Sequence, residues 1–205
     1  MNDTNNTMKR KSIARKIAVC GALSALTIIF GVTRLGLIPW FAGASITILH
    51  VPVILGTLLE GLLAGTGIGA VFGITTLVVA ATQGTGLDVF FINPLISVLP
   101  RLLIAPVVYF SFKGLKAAFD KVRLPSVFAY AISAFLGAMT NSFLVLGALV
   151  IAKAIDIKLM WTVLFSNSLL EAAAAVIICV AVVMVRDSAV SYKNKKSRLN
   201  SEDEE

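Results

Sequence analysis

Six times between residues 17 and 185 the chain enters an apolar run with at most one charged side chain, and polar or glycine- and proline-rich stretches separate the runs. The runs cover residues 17–32, 47–63, 67–82, 93–112, 126–151 and 161–185. A helix needs about 20 mainly apolar residues to cross a bilayer. The pattern therefore predicts an all-α membrane protein, a bundle of six transmembrane helices in one domain, residues 13–186. Residues 1–12 form a disordered amino end on this reading, and residues 187–205 a charged, solvated tail. A mean hydropathy of +0.91 and only 14% charged residues exclude a soluble globule. The first run continues past any small-residue cleavage site near Ala25, so it reads as a retained helix and not as a signal peptide.

Charge sets the orientation. The net charge of +7 would suggest nucleic acid in a soluble protein, but the basic residues flank apolar runs, so no nucleic-acid partner is inferred. Fourteen of the 18 Lys and Arg residues fall at the amino end, in residues 113–125 and in the tail. Arg34, Lys153 and Lys158 fall on the other side, and Arg101 lies within the fourth run. The positive-inside rule then puts both termini in the cytoplasm.

Arg101 interrupts NPLISVLPRLLIAPVVYFSF, residues 93–112. An ionised guanidinium in hydrocarbon costs several kcal/mol (~3 or more) unless something answers it, so it marks a candidate functional site. At a rise of about 1.5 Å per residue it lies roughly 12 Å from the outer start of its helix. Asn141, Asn167 and Glu171 fall at similar depth in the fifth and sixth runs, and the i, i+4 spacing of Asn167 and Glu171 puts them on one face. His50 and Asn93 sit near the outer ends of the second and fourth runs. The inner halves carry no comparable set, which predicts a cavity open to the outside and closed toward the cytoplasm, suited to a small organic ligand. Arg101 and Glu171 either neutralise one another across the bundle or Arg101 meets the ligand. Asn141 and Asn167 serve either the ligand or interhelical hydrogen bonding. His50, ahead of Pro52, caps a helix or binds, and local capping accounts fully for Asn93 before Pro94.

Pro100 and Pro106 lack an amide hydrogen and so release the carbonyls of Ile96 and Leu102, which become acceptors for Arg101 or for a ligand, or else mark a kink. Glycines 61, 65, 69 and 73 recur every fourth residue with no strand before them, which reads as close helix packing and not as a phosphate loop. Residues 34–46 read as an interfacial loop. Cys20 and Cys179 lie inside apolar runs with no metal-like spacing and read as small core residues.

The chain resembles a substrate-binding subunit (S component) of an energy-coupling factor (ECF) vitamin transporter. The resemblance rests on the basic amino end, on Ala14, Ala18 and Ala22 at intervals of four, on a first loop containing Trp40, on ILHVPVILGTLLEGLLAGTGIGAVFGI, and on NPLISVLPRLLIAP. The wording around HVPVILG and NPLISVLPR is most similar to the pantothenate-specific members. The resemblance implies a multi-pass cell-membrane protein that captures a vitamin or precursor from outside beneath the first loop, with Trp40 among the ligand-facing residues. It also implies docking through Ala14, Ala18, Ala22 and Ala25 to a membrane coupling subunit driven by two ATPases. Arg101 would hold the carboxylate of pantothenate, and Asn141, Asn167 and His50 its amide and hydroxyls. Folate, biotin, nicotinate, riboflavin and hydroxymethylpyrimidine are the other ligands of this class.

Two rival functions follow from the residues. An intramembrane enzyme lacks His-Glu-x-x-His, Gly-x-Ser-x-Gly and any acidic cluster for a metal, so no catalytic residues or metal site are assigned. Without Gly-x-x-x-x-Gly-Lys-Ser/Thr this chain is not expected to hydrolyse a nucleotide, so any ATP dependence must come from the partner ATPases that the resemblance implies, and no cofactor is assigned to the chain itself. A stand-alone proton-coupled transporter would have to work through Glu171.

Overall fold

The computed structural model describes residues 2–34, 37–39 and 45–202, with side chains over residues 13–34 and 47–192. Helix α1, Asn2–Val32, starts ahead of the first apolar run. A small antiparallel ribbon follows, β1 (Leu37–Pro39) and β2 (Ser45–Thr47), in the register Leu37↔Thr47, Ile38↔Ile46, Pro39↔Ser45. Helices α2 (Val51–Glu60) and α3 (Leu62–Gln83) come next, then a 3-10 helix at Gly86–Ile92. Helix α4 (Pro94–Ser97) leads into α5 (Leu99–Val122), and α6 is Ser126–Ile151. Helix α7 (Ile157–Val163), a π-helical segment (Leu164–Ser168) and α8 (Leu169–Glu202) close the chain.

Among the described residues five helical stretches are long and apolar enough to cross a bilayer: Ile13–Val32, Leu62–Gln83, Pro94–Val122, Ser126–Ile151 and Ile157–Tyr192. The chain is a multi-pass, helical membrane protein, and apolar side chains such as Phe110, Ile177 and Val185 face outward where lipid lies.

The stretch expected to be the second span departs from its expected length. Helix α2 has ten residues, about 15 Å at the helical rise, half of a hydrocarbon layer of about 30 Å. Pro52 in its first turn and Gly61 at φ 95° fix the two ends. Ile48 and Leu49 are as apolar as a helix needs, but with His50 they form the turn after β2. Residues 51–58 are all buried, as befits a helix apolar on every side. α2 packs against α1, α3, α5, α6 and α8 and is the centre of the bundle.

Two other boundaries move. The basic stretch expected as a loop at residues 113–125 is helical to Val122, because it holds good helix formers and meets no stop until Arg123 at φ 58° and Pro125. The polar link 152–160 shrinks to a turn, with α7 beginning at Ile157.

Small residues let these helices close in. An added β-carbon at Gly69 would sit 2.6 Å from the Arg101 carbonyl oxygen, and at Gly73 2.7 Å from Val98 Cα. The four-residue glycine spacing on α3 thus seats the start of α5, as close packing predicts. One face of α8 carries Ala172, Ala175, Cys179 and Val183, each fully buried. Cys179 is a core residue as expected, Cys20 is half-buried on α1, and both thiols are free.

Candidate ligand-binding site

A cavity of about 560 Å³ opens where the carboxyl ends of α1, α3 and α6 meet the amino ends of α5, α7 and α8. Thr47 and Leu49, just ahead of α2, also line it. The cavity exists because α2 is short: the layer it leaves empty is bounded by its longer neighbours. At the far end of the bundle Arg15 of α1 pairs with Glu60 at 3.0 Å, at the turn between α2 and α3.

The local sequence builds the Arg101 corner. Asn93 caps α4, its Oδ1 accepting the Leu95 N–H at 3.0 Å. α4 stops after one turn, and Pro100 in the first turn of α5 offers no N–H to the Ile96 carbonyl. Arg101 Nη1 takes that acceptor at 2.7 Å. The guanidinium carbon lies 5.2 Å from the Phe72 ring centre and 5.1 Å from that of Phe91. Two aromatic faces and one carbonyl thus hold the cation in place. Its Nε is buried with no hydrogen-bond partner, and among the described residues no carboxylate pairs with Arg101.

Glu171 is held elsewhere. Its Oε1 accepts the Thr47 N–H at 2.6 Å and Asn167 Nδ2 at 3.5 Å, and its Oε2 accepts Ser142 Oγ at 3.3 Å. Hydrogen bonds to an ionised group contribute about 1.5–3 kcal/mol each at good geometry, so the short Thr47 bond is the strong one of the three. Asn167 lies in the π-helical segment, a distortion that recurs at functional sites because it re-aims side chains. Asn141 is buried on α6 with its Oδ1 unpartnered. That orphaned acceptor faces a cavity from which a ligand hydroxyl or amide can donate.

Arg101, Asn141, Asn167 and Glu171 all line the cavity, so four of the residues singled out in the sequence converge in space. Two do not join them. Asn93 is exposed at its cap, and His50, fully buried with both ring nitrogens unpartnered, lies outside the lining. Trp40 lies outside the described residues. Sequence reasoning passed over Ser142, Phe72, Phe91 and the Thr47 amide. Ser142 beside Asn141 and the aromatics near Arg101 carry a signal in retrospect, whereas a backbone N–H carries none. At the rim Arg34 donates to the Gln83 carbonyl at 2.6 Å and pairs with Asp88 at 3.4 Å. Such half-exposed pairs contribute about 0–1 kcal/mol.

Comparison with known proteins agrees with this geometry. Residues 15–185 match the family model described as ECF transporter, substrate-specific component. The chain is also 27% identical over 194 residues to a protein of Lactococcus lactis subsp. cremoris named pantothenic acid transporter PanT. That alignment covers 85% of this chain and 94% of the relative. A match across most of the chain, from the first apolar helix to the end of the last, places the protein in the family of substrate-specific components of ECF transporters.

Proposed function

We propose that this protein captures pantothenate from outside the cell and delivers it through a membrane coupling subunit powered by two partner ATPases. The observation that carries the reading is the Arg101 corner: a buried cation with donor capacity to spare and, among the described residues, no carboxylate partner, in a cavity that also holds an unpartnered Asn141 oxygen. A carboxylate meets Arg101, and the ligand's hydroxyl or amide hydrogens meet Asn141. Asn167 and Glu171 complete the polar wall, and Trp40, His50 and Asn93 remain candidates for contacts made when the ligand is bound. The cavity volume falls in the range usual for small-molecule sites, about 300–1,000 Å³. The relative's name supplies the choice of pantothenate.

Topology fits the same reading. α1 runs toward the cavity and α8 away from it, so the amino end of α1 and the carboxyl end of α8 both lie on the side opposite the cavity, which supports six passes through the cell membrane with α2 as a half-length pass and both termini in the cytoplasm. Ala14, Ala18, Ala22 and Ala25 are exposed on α1 and form the surface that docks onto the coupling subunit.

Calorimetric titration of the detergent-solubilised protein with pantothenate tests this, with folate, biotin, nicotinate, riboflavin and hydroxymethylpyrimidine as comparisons. Saturable binding of pantothenate alone is the expected result, and binding of another vitamin replaces the substrate. Uptake that persists without the ATPases and collapses with the proton gradient would overturn the reading in favour of coupling through Glu171.

A further inference from the structure

We propose that Glu171 is a positioning residue that ties the β1–β2 ribbon to the helices at the edge of the cavity, and thereby sets how fast a captured ligand escapes. The bond from the Thr47 N–H to Glu171 Oε1, at 2.6 Å, connects residues 124 positions apart. It joins the end of the ribbon to the amino-terminal turn of α8. Among the described residues β2 packs against the π-helical segment and α8, the two elements that carry Asn167 and Glu171.

The carboxylate is well placed to anchor and poorly placed to bind. Ser142 of α6 and Asn167 of the π-helical segment brace its two oxygens from two different helices. Its oxygens already take donors from Thr47, Ser142 and Asn167, whereas Arg101 and Asn141 in the same cavity have unused hydrogen-bonding atoms. Recognition therefore falls to Arg101 and Asn141. The role of Glu171 is to hold a wall of the cavity, since Thr47 is itself a lining residue. A backbone donor suits this role, because the anchor persists whatever side chain stands at that end of the strand.

Amide hydrogen exchange over residues 45–49 in the ligand-free protein reads the anchor directly. Exchange is expected to be about tenfold faster or more in Glu171→Ala. Glu171→Gln, which keeps a side-chain oxygen for the Thr47 N–H, is expected to restore slow exchange in large part. In stopped-flow experiments with pantothenate, Glu171→Ala is expected to raise the dissociation rate about tenfold while association stays within about threefold. That second measurement rests on pantothenate being the ligand, and the exchange measurement does not, so the two ideas fail separately. Should Glu171→Ala not fold, Thr47→Pro removes the donor and leaves the carboxylate in place. Faster exchange at Ile46 and Ile48 is then expected. Unchanged exchange in ligand-free Glu171→Ala, or in Thr47→Pro, overturns the anchor, and lost affinity alongside unchanged exchange makes Glu171 a ligand group.

Discussion

Arg101 and Glu171 line the same cavity without pairing: the guanidinium bonds the Ile96 carbonyl between two phenyl rings, and the carboxylate bonds the Thr47 N–H, Ser142 and Asn167. An intramembrane cation and anion that meet would quench each other and leave a structural pair. Kept apart, the cation remains available to an anionic ligand, and the anion is committed to the protein's own backbone.

Arg101→Ala is expected to lower pantothenate affinity by at least about 100-fold, the loss of a charge-assisted contact of roughly 3 kcal/mol. Arg101→Lys is expected to recover little, because an ammonium lacks the planar fork that fits between Phe72 and Phe91. Titration calorimetry gives both values, and a thermal-unfolding midpoint close to wild type shows that the fold survives. Wild-type affinity in Arg101→Ala would make this arginine purely structural.

Asn141→Leu is expected to weaken binding about tenfold and to leave stability equal or slightly higher, since it removes a buried oxygen that has no partner in the ligand-free protein. Affinity and thermal midpoint moving in opposite directions is the signature to look for. A fall in both would point to interhelical bonding by Asn141.

Gly69→Ala puts a β-carbon 2.6 Å from the Arg101 carbonyl oxygen, and the forced shift is expected to destabilise the protein by about 1–3 kcal/mol. Because the displaced backbone carries Arg101, ligand affinity should fall with it. Gly67→Ala, where nothing lies within 4 Å, is the control. It is expected to be neutral or to stabilise by about 0.5–1 kcal/mol. Thermal melts of the two variants side by side decide the matter, and equal behaviour would refute the packing argument.

Ala18→Leu and Ala22→Leu are expected to leave pantothenate binding within about twofold and to stop uptake by the assembled transporter, since both positions are exposed on α1 and neither lines the cavity. Uptake assays in cells, paired with calorimetry on the isolated subunit, separate the two effects. Normal uptake would move the docking surface off this face.

The sequence by itself determined the solvent and the cost of each polar residue in it. Apolar runs of span length identify a helical membrane protein, because hydrocarbon leaves the backbone no outside partners. The same reasoning flags Arg101, Asn141, Asn167 and Glu171, and the rule that proline frees a carbonyl four residues back identifies the Ile96 acceptor that Arg101 uses. The glycine repeat was legible too, since close approach of helices needs small side chains at that interval.

Other features were decided only by the tertiary structure. Nothing local distinguishes Arg101 paired with Glu171 from Arg101 kept apart, since both depend on which groups six different elements bring within about 3 Å, the hydrogen-bonding distance. The Thr47 N–H could not be foreseen, because every residue but proline carries one. Hydropathy also overstated α2: apolar residues are counted alike whether they lie in a helix or in the turn before it, and burial among α1, α3, α5, α6 and α8 satisfies them without a full crossing. The cavity above α2 follows from that shortfall in length, which is a property of the packed bundle and of no single stretch of the chain.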